Sequence, residues 1–187
     1  MKQLITYLVY ALLLVGAAWL VFRVIVRRDY LRKGRLTPLS SALELLVCVL
    51  YAGFSALYLP RSWPQVHVGA VGALLGWTLL GLGFGIGLGA MFVFGVGRAF
   101  GLVTDELKQS GPYRFSRNPQ LVCFGAAMAG AAILWPSWYA LGWLLLFGPV
   151  FHPMVLSEEE YLQVQFGDVY RDYCRQAPRY LPIPGLR

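Results

Sequence analysis

Long apolar runs alternate with short basic stretches along this chain. The runs lie at about 4–26, 39–59, 67–97, 119–135 and 138–156. Each approaches or exceeds the roughly 17–25 residues that a membrane-spanning helix needs, with 119–135 at the lower limit. The pattern predicts an all-α integral membrane protein of about five transmembrane helices. Run three is too long for one perpendicular helix, so it must tilt, break or protrude into water. Between the last two runs stands "WPSW" at 135–138, where Pro136 and Ser137 make a short turn flanked by two interfacial tryptophans. So short a connection predicts a tight antiparallel hairpin. At 1.5 Å per residue its two arms cover roughly 24 and 28 Å, so their far ends return to one membrane face and bring "RNP" (117–119) beside "SEEE" (157–160). The segment that follows reads as an amphipathic helix with Leu162, Phe166, Val169, Tyr170 and Tyr173 on one face, stopped by Pro178. It either lies on the membrane as an anchor or covers the border as a lid.

Charge orients the spans. Of 187 residues, 58% are hydrophobic and 13% charged, with mean hydropathy +0.58, against roughly 25% charged residues in a soluble domain. The net charge of +7 is spread over short segments between apolar runs, as topology signals and anionic-lipid contacts require, and calls for no nucleic acid. If 27–38 is cytoplasmic, fourteen of the sixteen Lys and Arg fall on the inner side, and Lys2 and Arg61 outside. This predicts an outside N-terminus, with 98–118 and the tail 157–187 in the cytoplasm. The first run is followed directly by Arg27, Arg28, Arg32, Lys33 and Arg35, which predicts a retained first span rather than a cleavable signal peptide. Cys48, Cys123 and Cys174 are far apart and near no histidine, so neither a disulfide framework nor a metal site is indicated.

Several residues carry possible chemistry. "GLGFGIGLG" at 81–89 lacks the spacing and setting of a nucleotide fingerprint. Gly81, Gly85 and Gly89 at four-residue spacing, with Gly83 and Gly87 on another stripe, predict small-residue packing between spans. Asn118 and Pro119 suit an ordinary helix start, as N-cap and first-turn residue, and Arg117 alone suits a topology marker. Together with the glutamates, however, they place an arginine, a helix N-terminus and three carboxylates at one border, which suits a zwitterionic ligand. Glu44, within run two, is either a functional group or a residue reaching water or an arginine. His152, between Pro149 and Pro153, is either a substrate-pocket residue beside a proline kink or a buried, hydrogen-bonded histidine. His67, at the outer border, reads as structural.

The two blocks "GPYRFSRNPQLVC" and "EEEYLQVQFGDVYRDYCRQAPRYLP" resemble a known family: the integral-membrane methyltransferases related to isoprenylcysteine carboxyl methyltransferase and phospholipid methyltransferases. The family pattern is approximately G-P-Y-x-x-x-R-H-P-x-Y-x-G, a helical hairpin, then E-E-x-x-L-x-x-x-F-G-x-x-Y-x-x-Y and a terminal P-R-x-x-P. The resemblance covers about residues 98–182 and divides the chain into N-terminal spans (1–97) and a cofactor-binding region (98–187). It implies S-adenosylmethionine as cofactor. Gly111, Tyr113, Arg117, Asn118, Pro119 and Leu121 fall in the first binding motif, and Glu158 and Glu159 in the second. Arg117 would orient an anionic group and Glu159 the cofactor's ammonium, the two holding opposite ends of one molecule. The substrate implied is lipid-like, with a carboxylate, amine or similar head group, and no protein partner is called for. Asn118, Leu121 and Cys123 stand where the family often has His, Tyr and Gly. Membrane sterol and steroid reductases also resemble the C-terminal block and would use NADPH, against which the adjacent Glu158 and Glu159 argue. A non-catalytic membrane scaffold is the third reading.

Overall fold

A computed structural model of the protein describes residues 1–58, 68–94 and 106–181; His67 and residues 98–105 lie outside them. Among the described residues five long helices carry it: α1 (Lys2–Lys33), α2 (Pro38–Tyr58), α3 (Ala70–Phe94), α4 (Pro119–Leu134) and α5 (Trp138–Gln176). The protein is an all-α integral membrane protein. Helices α1, α2, α3 and α5 are long and apolar enough to cross a bilayer, and α4 is a shorter apolar helix. Large side chains such as Leu12, Leu13, Val71, Leu74 and Leu145 face outward, where lipid tails meet them. Close packing and interhelical hydrogen bonds therefore hold these helices together, since burying apolar surface from lipid gains little.

Helices α1, α2 and α5 meet through aromatic side chains. Tyr7 packs on Phe54 with ring centroids 4.8 Å apart, and Tyr51 stacks on Trp143 at 5.2 Å. The polar edges of these rings are satisfied across the interface: Trp143 Nε1 donates to the Tyr51 carbonyl at 3.1 Å, Tyr51 OH to the Trp143 carbonyl at 3.0 Å, and Tyr7 OH to the Tyr139 carbonyl at 3.0 Å. Unsatisfied groups at this depth have no water to turn to.

Helices α3 and α4 meet backbone to backbone in antiparallel sense. A Cβ added to Gly83 would lie 2.5 Å from the Cys123 carbonyl oxygen, and one on Gly130 would lie 2.6 Å from the Gly76 carbonyl oxygen. The packing face is Gly76, Gly83 and Gly87. Gly81, Gly85 and Gly89, the stripe at four-residue spacing, have no atom within 4 Å of an added Cβ, so they face away from α4. Two stripes interleave in one glycine-rich run, and only the rotation of α3 about its axis chooses between them.

At the charged end of the bundle, Gly34 (φ +67) ends α1, and Asp29 holds Thr37 and Ser40 at the start of α2. Glu160 joins α5 to α1 by ion pairs to Arg23 at 2.6 Å and Arg27 at 2.5 Å, and Ser157 Oγ donates to the Phe22 carbonyl at 2.8 Å. With 39 residues, α5 runs roughly 58 Å, well beyond a bilayer's hydrocarbon. The expected amphipathic helix is therefore continuous with the last span. The backbone leaves helical angles at Gly167 (φ +53), downstream of Pro149 and Pro153, which lie inside the helix. Tyr170 and Tyr173 are buried as expected, but Val169 is 60% exposed, because the break at Gly167 rotates the last turns.

Candidate functional site

The short "WPSW" turn does what the sequence implied: α4 begins and the glutamates of α5 lie at the same end of the bundle, in contact. Ahead of α4, Gly111 takes φ +62 and opens a single 3-10 turn, Gly111–Arg114, so that residues 115–118 run beside the C-terminal segment 177–180. The Arg117 amide donates to the Pro178 carbonyl at 2.9 Å. Asn118 Nδ2 donates to the Arg179 carbonyl at 3.0 Å, and Ser116 Oγ to the same carbonyl at 3.4 Å. Asn118 therefore does not cap α4 with its side chain: its amide is turned to the tail. Pro119 is the first residue of α4, and Leu121 packs against the main hydrophobic core.

Three consecutive glutamates, roughly 100° apart around the helix, point to three different surroundings. Glu160 faces α1, as above. Glu159 faces α4 and the tail: its carboxylate meets Arg117 Nη1 at 2.9 Å, and Arg179 approaches it through Nε at 3.0 Å and Nη2 at 2.7 Å. The Glu159 and Arg117 side chains are 13% and 14% exposed. Arg117 Nη1 also donates to Cys174 Sγ at 2.8 Å, whereas its Nε is buried without a partner. Arg117 and Glu159 were expected to face each other across an opening; they touch, because the hairpin ends converge more closely than an extended ligand. One carboxylate shared by two guanidiniums leaves the cluster one positive charge in excess.

Glu158 points elsewhere. It makes no ion pair among the described residues. Burial, then the Glu158 charge, pushes the Tyr113 phenol up to about 12, so it stays protonated. The Tyr113 carbonyl accepts from Tyr173 OH at 2.8 Å. Hydrogen bonding to Glu159 raises the Arg179 guanidinium above its ordinary value. His152, two helical turns before Glu159 on the same face of α5, has Nδ1 2.7 Å from Tyr180 OH. Of the residues singled out in the sequence, Arg117, Asn118 and Glu159 form one cluster, Glu158 and Glu44 stay outside it, and His152 meets the tail.

Arg179, Tyr180 and Cys174 complete these contacts and were not singled out as site residues. Arg179 had a signal, since it occupies the arginine of the terminal P-R-x-x-P. Cys174 had none, because its place beside Arg117 depends on the bend at Gly167. A family model described as phospholipid methyltransferase matches residues 71–169, which takes in α3, α4 and most of α5. No curated protein and no solved structure matches the chain.

Proposed function

The chain belongs to the phospholipid methyltransferase family, and from that premise we propose that it transfers a methyl group from S-adenosylmethionine to a lipophilic substrate at the charged border of the membrane. The carrying observation is the Arg117–Glu159–Arg179 cluster with the partnerless Arg117 Nε beside it. S-adenosylmethionine, when bound, supplies a methyl group on a positively charged sulfur. Its amino-acid end is a zwitterion, and the cluster fits one. Arg117 would take the carboxylate, with Nε still available as a donor, and Glu159 would take the ammonium while Arg179 keeps it in place. Such an exchange leaves every buried charge with a partner, which is the condition for moving ions inside a protein at low cost. Gly111, Tyr113, Asn118, Pro119 and Leu121 would shape the rest of the cofactor site. The hairpin and tail would exclude water and position the reacting groups.

The positive-inside asymmetry supports a cytoplasmic border with the N-terminus outside, which reporter fusions at both termini would test. Calorimetry tests the cofactor assignment. Loss of a hydrogen bond to a charged group costs about 1.5–3 kcal/mol, so Arg117→Met and Glu159→Gln should each weaken S-adenosylmethionine binding roughly ten- to a hundredfold. Arg117→Lys should restore only part of it, because an ammonium lacks the planar fork. NADPH titrated in parallel should give no heat. Parent-like affinity in both variants would remove the assignment and leave Arg117 a topology marker.

A further inference from the structure

Beyond α5 the tail turns back along the helix it has left. Arg179 and Tyr180 are neighbours in the chain, yet they bind α5 two turns apart, at Glu159 and His152, points separated by roughly 10 Å at 1.5 Å per residue. From the border cluster the tail therefore reaches a residue inside the apolar run 138–156. The Tyr180 hydroxyl lies 2.7 Å from His152 Nδ1, with ring centroids 6.0 Å apart. Neither is a named residue of the family pattern: Tyr180 falls on one of the open positions of P-R-x-x-P, and His152 lies between the two blocks.

The other polar contacts of 178–180 among the described residues all run to the border cluster and the turn that leads into it. The Arg117 amide holds the Pro178 carbonyl, Asn118 and Ser116 hold the Arg179 carbonyl, and the Arg179 guanidinium lies on Glu159. A zwitterion entering the cluster makes Arg117 and Glu159 change partners, so these are the contacts it disturbs. The Tyr180–His152 bond lies outside that exchange. Breaking it against an apolar wall leaves two polar groups with no water to replace the lost partner, so it persists while the charges rearrange.

We propose that Tyr180 is a positioning residue of the cofactor site: latched to His152, it keeps Arg179 on Glu159 after S-adenosylmethionine has taken over Arg117, and release of the latch opens the tail for cofactor exchange. This rests on the methyl-transfer reading above. Tyr180 acts through Arg179 and touches no reacting atom.

The test uses the purified full chain in dodecylmaltoside micelles. Without cofactor, trypsin reports on the tail, since the Arg179–Tyr180 peptide bond is itself a cleavage site and loss of 180–187 is read by mass spectrometry. Cleavage of a closed segment follows the population of its open form. Tyr180→Phe removes only the hydroxyl and should speed cleavage at Arg179 roughly three- to tenfold, with cleavage in the 33–35 turn unchanged. Calorimetry should show S-adenosylmethionine binding weakened by a similar factor. His152→Leu should match Tyr180→Phe, the double variant should lose no more than either, and His152→Asn, whose amide falls near the place of the imidazole Nδ1, should recover part of the loss. Faster cleavage at both places would make the bond merely structural and overturn the assignment. So would parent-like cleavage in Tyr180→Phe, additive losses in the double variant, or, where the parent binds the cofactor, parent-like affinity in Tyr180→Phe. A parent that does not bind S-adenosylmethionine, but whose cleavage at Arg179 depends on Tyr180, would overturn methyl transfer and leave the latch standing.

Discussion

The α3–α4 pair and the α1–α2–α5 group solve the same problem in opposite ways. Neither gains from hiding apolar surface, because lipid is apolar too. The first pair removes side chains, so that the backbones at Gly76, Gly83 and Gly130 approach within contact. The second fills the space with rings whose polar edges bond to carbonyls on the neighbouring helix. An interface of glycines is intolerant of any addition, and an interface of rings is intolerant of removal. The candidate site lies where the two regions meet, with Arg117 leading into α4 and Glu159 on α5. Its ion pair therefore also couples the α3–α4 pair to the rest.

That contrast can be broken from either side. The largest effect is expected for Gly83→Leu, whose Cβ would fall 2.5 Å from the Cys123 carbonyl oxygen and 2.7 Å from the Ala127 nitrogen. Backbone cannot give way as a side chain would, so folded protein should be lost, as read by size-exclusion recovery from micelles. Next comes Phe54→Ala, at a fully buried ring. A cavity of roughly 100 Å³ at about 24 cal/mol per Å³ costs about 2 kcal/mol, visible as an earlier midpoint in an SDS titration, with the fold retained. The smallest effect belongs to Gly85→Leu, where nothing lies within 4 Å. Its midpoint should match the parent's, and a loss comparable to that of Gly83→Leu would mean that α3 is rotated from the orientation described.

The spans were legible because a bilayer imposes length and apolarity on any helix that crosses it. The pairing of "RNP" with "SEEE" was legible because a two-residue turn leaves two apolar runs of similar length nowhere else to end. The glycine run announced close packing, yet not which stripe would pack, since both stripes are equally small and the choice belongs to α4. Likewise Asn118 has the chemistry of a helix cap, and only the arrival of the tail's Arg179 carbonyl turns it to another use.

The three glutamates mark this division most clearly. Their identity and order, and the turn that sets them opposite Arg117, follow from the chain itself, through helix periodicity and the membrane's thickness. Their separate fates do not. Glu160 is bound to α1, whose arginines lie more than a hundred residues away, while Glu159 is shared by Arg117 and by Arg179, which arrives from beyond the bend at Gly167. Electrostatic partnership depends on distance in space, and only the packed helices decide that distance.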